Sequence, residues 1–208
     1  MRVTLWTVRV GDYYPEFCDI TTAHMRSYAD RIGADFRVIH QRKFPDRKPN
    51  FEKFQVGICG NDSDYNILMD ADILLPPDFP DLTEKVPVEC VGAWTGYGAH
   101  YHFRNPDKYF LRDQRDLAIV TNMVVTTRLT HDAWEFPKES EKELERHCWN
   151  PWCTDEFVFS RNVAKYGLKH VNLLEAHEPQ PIHFELTTMK QQGRDPVKEA
   201  RRIIESWR

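Results

Sequence analysis

Asp70 and Asp72 end an apolar run, Tyr65-Asn66-Ile67-Leu68-Met69, and lead through Ile73-Leu74-Leu75 into Pro76-Pro77. In an extended chain alternate side chains share a side, so the two carboxylates face one way while Ala71 points away. Two such oxygens suit a hard cation, Mg²⁺ or Mn²⁺, and such ions in proteins usually also hold a substrate phosphate. The stretch therefore reads as a metal-diphosphate site. The same three residues also read as a polar strand exit before the proline turn, a match that so short a motif makes by chance.

Other residue types suited to chemistry are spread along the chain. Lys53 precedes the apolar run on a predicted helix, where its ammonium can neutralise phosphate charge or simply solvate a helix face. Asn122 is a polar residue inside the β-prone run Leu117 to Thr127, and if buried it needs a partner. Asp155-Glu156 opens a predicted helix behind Thr154, which is suited to the N-cap, and acids in a first turn are ordinary dipole partners. His147, Cys148 and Cys153 invite a zinc reading, but Cys-x4-Cys is off the usual spacing and no second pair exists. His100 and His102 alternate within an aromatic loop and read as substrate contacts or as bystanders.

Positioning these groups requires a sheet. Val3 to Val10 reads as a first strand, Pro15 to Ile32 as an amphipathic helix stopped by Gly33, and Ala34 to His40 as a second strand, a βαβ opening. Phe51 to Cys59 reads as a helix that delivers the chain to the run ending at Asp70. That run is apolar on both faces, the signature of a central parallel strand, and ligands of open α/β sheets bind at the carboxyl ends of such strands. Val88 to Trp94 is a further strand; Gly92, Gly96 and Gly98 break the pattern, and Ala99 to Asp116 is an aromatic and charged excursion over that edge. A helix within His131 to His147, another from Thr154 to Tyr166, a last short strand from Lys169 to Leu174 and a C-terminal helix from Pro196 to Trp207 complete an α/β alternation.

The 208 residues, 41% of them hydrophobic, suffice for one substantial core. A net charge of -4 gives no reason to expect a nucleic-acid partner or an anionic membrane. Five scattered cysteines read as reduced thiols in a cytoplasmic protein. No stretch reads as a transmembrane segment.

Four pieces in order carry a family resemblance: Phe51-Glu52-Lys53-Phe54, Leu68-Met69-Asp70-Ala71-Asp72-Ile73, Thr121-Asn122-Met123-Val124-Val125 and Ile182-His183-Phe184. The chain resembles nucleotide-sugar-dependent glycosyltransferases of the GT-A fold, most similar in layout to retaining, glycogenin-like and galactosyl- or xylosyl-transferase-like families. The resemblance implies a single GT-A-type (Rossmann-like) α/β domain, a mostly parallel central sheet flanked by helices, with residues 1–95 as the nucleotide-sugar-binding half and 96–208 as the acceptor-side half. It implies that Asp70 and Asp72 form the DxD pair and that His183 completes the shell of Mn²⁺ or Mg²⁺. It further implies that Lys53 and Lys190 meet the diphosphate, that Arg9 and Tyr13 lie where the base docks, and that Asn122 and Asp155 orient the sugar or the acceptor. After His183 the family usually carries a glycine and Lys-Pro-Trp, whereas this chain continues Phe184-Glu185-Leu186-Thr187-Thr188-Met189-Lys190.

The function implied is metal-dependent transfer of a sugar from a nucleotide-diphosphate sugar, with UDP-sugar favoured, to a hydroxyl acceptor such as a glycan, with retention. A non-catalytic nucleotide-sugar or glycan-binding domain of the same fold is the alternative. A phosphohydrolase using Asp70 as nucleophile fits less well, because such enzymes carry their acids after the first strand. No Gly-rich phosphate loop follows that strand, which disfavours a nucleotidyltransferase.

Overall fold

The computed structural model describes residues 1–95, 99–114, 118–176 and 178–207. Strand β1 (Val3–Val8) is buried on both faces over most of its length, as its β-branched and aromatic residues allow. Helix α1 (Pro15–Ile32) starts with proline at its first position and ends where Gly33, at φ 69°, turns its N–H back onto the carbonyls of Ala29 and Asp30. It buries Phe17, Cys18, Thr21, Met25 and Tyr28 and returns the chain to β2 (Asp35–Ile39), which pairs parallel with β1. The expected helix over Phe51 to Cys59 is instead a 3₁₀ segment, Pro49–Gln55, running into a single turn α2 (Val56–Cys59).

Strand β3 (Tyr65–Met69) is buried at all five positions and pairs parallel with β1. Beyond Asp72 the chain leaves the main sheet: β4 (Ile73–Leu74) pairs antiparallel with β8 (Ile182–His183) in a separate two-stranded ribbon. The main sheet continues with β5 (Cys90–Thr95), β6 (Ile119–Thr127) and β7 (Lys169–Asn172), in the order β2-β1-β3-β6-β5-β7. Only β6 runs against its neighbours. The carboxyl ends of the other five strands therefore share one edge, and β6 enters the sheet from it. Gly96, Gly98, Asp116 and Leu117, named above, lie outside the described residues.

Between β5 and β6 lies a short helix, α3 (Ala99–His102). The helix expected within His131 to His147 is divided. A 3₁₀ stretch, Arg128–Trp134, gives way at Glu135-Phe136-Pro137, where proline cannot continue a helix, and a capping box at Ser140 starts α4 (Glu141–Glu145). Helix α5 (Thr154–Lys165) begins at the expected residue and ends one residue short of Tyr166. Thr154 is already helical, Cys153 holds the cap position, and the Thr154 hydroxyl donates instead to the Glu141 carboxylate at 2.8 Å.

The strand expected over Lys169 to Leu174 ends at Asn172 and passes into α6 (Leu173–Ala176). After β8 come α7 (Leu186–Gln191) and α8 (Pro196–Ser206), the latter capped by the Asp195 carboxylate. Phe17, Leu74, Phe184, Leu186, Met189 and Ala200 form a small core, against which Val197, Ile203, Ile204 and Trp207 pack. That core fastens the β4–β8 ribbon to α1 and α8, and so fixes the backbone at Asp72 and His183. No described helix is long and apolar enough to cross a membrane.

Candidate active site

The ladder between β3 and β6 extends one step past Met69, because the Asp70 N–H donates to the Asn122 carbonyl at 2.7 Å. This bond holds the first aspartate at the sheet edge. Its carboxylate turns toward Lys53, whose Nζ lies 2.9 Å from each oxygen. Lys53 is only 7% exposed, and its ammonium also donates to Thr121 Oγ1 at 3.2 Å and stands 3.3 Å from Asp155 Oδ2. Burial alone would lower its pKa; the Asp70 and Asp155 charges outweigh that and raise it. Burial pushes Asp70 up to about 6, with Lys53 pulling against it. Lys53 thus has protein carboxylates as partners where a diphosphate was expected. The charge is consumed in tying β3, β6 and α5 together.

Asp155 departs from expectation in the same way. Its Oδ1 accepts from Asn50 Nδ2 at 2.5 Å and its Oδ2 from Thr121 Oγ1 at 2.7 Å. At 2% exposure, with Lys53 also beside it, this carboxylate is given over to the protein and is not open to a sugar.

Asp72 is held less closely, by one long contact. Its Oδ1 faces His183 Nε2 at 3.5 Å across the ribbon, where Ile73 pairs with His183, and beyond this long contact the buried oxygen has no hydrogen-bond partner among the described residues. A buried carboxylate oxygen without a partner is costly, and a cation is one way to satisfy it. Burial would lower the His183 pKa, but the Asp72 contact overrides this and raises it. The donor set of one carboxylate oxygen and one imidazole nitrogen, with Asp70 alongside, fits Mn²⁺ better than Mg²⁺, which takes oxygen ligands. Asp70 as it stands is engaged by Lys53, so Asp72 and His183 form the open pair.

Three further buried polar atoms lack partners among the described residues on the same edge: Thr7 Oγ1 near the end of β1, Trp94 Nε1 near the end of β5, and Asn122 Oδ1 near the start of β6. The Trp94 and His183 rings meet edge to face at 6.4 Å. Asn122 is 5% exposed, so its idle acceptor is a buried one.

Tyr13 is half exposed and edge-on to Tyr14 at 5.0 Å. Burial, and then the charge of Asp72, raise its phenol pKa, which puts the ring within electrostatic reach of the aspartates. Arg9, expected beside it at the base, is held by Asp19 at 2.8 Å and by the Pro15 carbonyl at 3.3 Å, and so braces the start of α1. Lys190 stands exposed on α7 and enters none of the hydrogen bonds just described.

One acid that the sequence reading did not assign to the site lies close by. Glu156, next to the committed Asp155, is partly buried and pushed up to about 7 by burial and by the Asp155 charge. Its carboxylate, the Cys153 thiol and a His102 ring nitrogen lie within 4.8 Å of one another. Burial lowers the His102 pKa and raises that of Cys153, so both groups favour their neutral forms. The i, i+3 spacing of Cys153 and Glu156 was the available signal, since it puts both on one side of the first turn of α5. His147, Cys148 and Cys153 do not converge on a metal: His147 stacks on Phe157 at 5.1 Å and bonds Tyr109, and the Cys148 thiol faces the Cys153 carbonyl.

No protein-family model matches this chain, and no curated protein sequence does. Solved structures do. A glycosyltransferase involved in glycosylation of the major capsid protein of PBCV-1 superposes with a TM-score of 0.57 at 11% identity, over 97% of this chain and 99% of that one. The bifunctional glycosyltransferase WbbM gives 0.52 at 10% identity over 83% of this chain, and the match covers 38% of WbbM. At such identities the likeness is one of fold. The chain has the mostly parallel, helix-flanked α/β architecture of GT-A glycosyltransferases.

Proposed function

We propose that this GT-A-fold chain transfers a sugar from a nucleoside-diphosphate donor, a UDP-sugar by preference, to a hydroxyl of a glycan acceptor. The observation that carries the reading is the buried Asp72 Oδ1 at the carboxyl edge of the sheet, which faces His183 at 3.5 Å and has no other partner among the described residues. Asp72 and His183, with Asp70 beside them, would hold Mn²⁺ or Mg²⁺. When bound, such a cation acts as a Lewis acid that stabilises the charge of a departing diphosphate.

The chain's own residues have separable tasks in this reading. The half-exposed Tyr13 ring offers a stacking face to the base. Asn122 Oδ1 and Trp94 Nε1, an acceptor and a donor, are satisfied by hydroxyls of the donor sugar. Lys53 and Asp155 act as positioning residues, since their charges hold Asp70 and the first turn of α5 in place.

Retention is the outcome implied by the resemblance; inversion is the outcome if Glu156 serves as the base. A carboxyl pushed up to about 7 is tuned to take a proton from an attacking hydroxyl near neutral pH, and direct displacement assisted by such a base inverts the anomeric centre. Proton NMR of the first product formed from an α-linked UDP-sugar decides between them. A β-linked product assigns Glu156 the base role, and an α-linked product removes it. Donor binding without turnover over a broad acceptor panel would leave a binding domain of the same fold.

A further inference from the structure

Trp149 and Trp152 are 59% and 65% exposed, although tryptophan is a side chain that folding usually covers. Both are held by backbone contacts to the candidate site. The Trp149 N–H donates to the His102 carbonyl at 3.1 Å. Asn50 Nδ2 donates to the Trp152 carbonyl at 2.9 Å, and the same amide donates to Asp155. Trp152 lies in the 3₁₀ turn, Pro151–Cys153, that runs directly into α5, so the backbone sets both tryptophans beside residues of the His102, Cys153 and Glu156 trio. Each ring carries a cation: the Arg104 guanidinium lies 4.9 Å from the Trp149 ring and the Lys48 ammonium 5.4 Å from that of Trp152.

Resting on the sugar-transfer reading above, we propose that Trp149 and Trp152 are the stacking platform for the acceptor, an oligosaccharide of several pyranose rings that runs from Glu156 outward over both indoles. The chemistry selects that occupant. A pyranose ring has an apolar C–H face bordered by hydroxyls. It therefore covers an aromatic ring while its rim bonds to the charged groups that frame it, here Arg104 and the Lys48–Glu145 pair at 2.6 Å. Two platforms beside one carboxyl also require more than one sugar ring, so a monosaccharide meets only part of the surface.

The test is binding of the intact chain, without donor, to an array of defined oligosaccharides, for the wild type, W149A, W152A and the paired W149F and W152F variants. Near-ultraviolet circular dichroism and thermal melting check the fold of each. Oligosaccharides of three or more units are expected to bind, monosaccharides not. Each tryptophan-to-alanine change should weaken binding about tenfold, and phenylalanine should restore most of it. Binding of no glycan on the array, or unchanged binding in folded W149A and W152A, overturns the proposal. Failure of sugar transfer is read separately: array binding that persists in a chain releasing no nucleotide from any UDP-sugar sinks the transfer reading and leaves this one standing.

Discussion

The Lys53 ammonium lies 3.3 Å from Asp155 Oδ2, and through this contact a residue ahead of β3 is joined to the first turn of α5. Lys53 is 7% exposed and Asp155 2%, so the charges compensate each other, with Asp70 as third member, in a place water barely reaches.

Removing that cation leaves two carboxylates close together and unpaired. K53M is expected to lower unfolding free energy by about 3–5 kcal/mol in urea denaturation, the usual cost of breaking a buried pair from one side. K53M combined with D155N should recover part of the loss, since the second change removes one stranded charge. Strict additivity of the two changes would contradict the coupling.

Glu156 makes stability depend on pH in a stated direction. Its ordinary value of 4.5 is raised to about 7 in the folded chain. Between those values the folded chain keeps a proton that the unfolded chain has released, so rising pH withdraws stability across that window, on the order of 1–3 kcal/mol. Asp70, pushed up to about 6, adds a slope of the same sign. Urea melts at pH 5 and pH 8 should therefore show a smaller pH-dependent loss in E156Q than in the wild type. Equal losses would show that the acid titrates as it does in water.

In the proposed metal site, His183 would set the pH dependence of metal affinity. Its pKa lies above the ordinary 6.5, and a protonated imidazole has no lone pair for a metal. Mn²⁺ affinity, titrated calorimetrically with UDP present, should fall as pH is lowered through and below that point. H183A should bind at least about tenfold more weakly and lose most of that pH dependence. A variant with wild-type affinity would remove His183 from the ligand set.

The parts of the fold legible from sequence are those fixed by local pattern. Pro15 and Gly33 bracket α1, and the unbroken apolar run of β3 needs cover on both faces. Asp70 and Asp72 were visible for the same reason, as acids at the end of such a run. What local pattern does not encode is where distant chain meets. The β4–β8 ribbon pairs residues more than a hundred positions apart through two residues per strand, too short for any periodicity, and it brings His183 to Asp72. The reversed direction of β6 is likewise set by its neighbours. Lys53 reads in sequence as a cation free for phosphate, and only folding supplies the two acids that claim it. The same holds for Asp155 and Glu156: adjacent in sequence and alike in chemistry, they part because Asn50 and Thr121 reach one and not the other.

Nucleotide release from a panel of UDP-sugars, measured with Mn²⁺, with EDTA and after Mn²⁺ is restored, tests the central claim most directly. The account predicts release with Mn²⁺, loss in EDTA, recovery on adding the ion back, and a kcat/KM about a thousandfold lower in D72N, the scale of several kcal/mol of leaving-group stabilisation. Undiminished release in EDTA, or wild-type turnover by D72N, would contradict it.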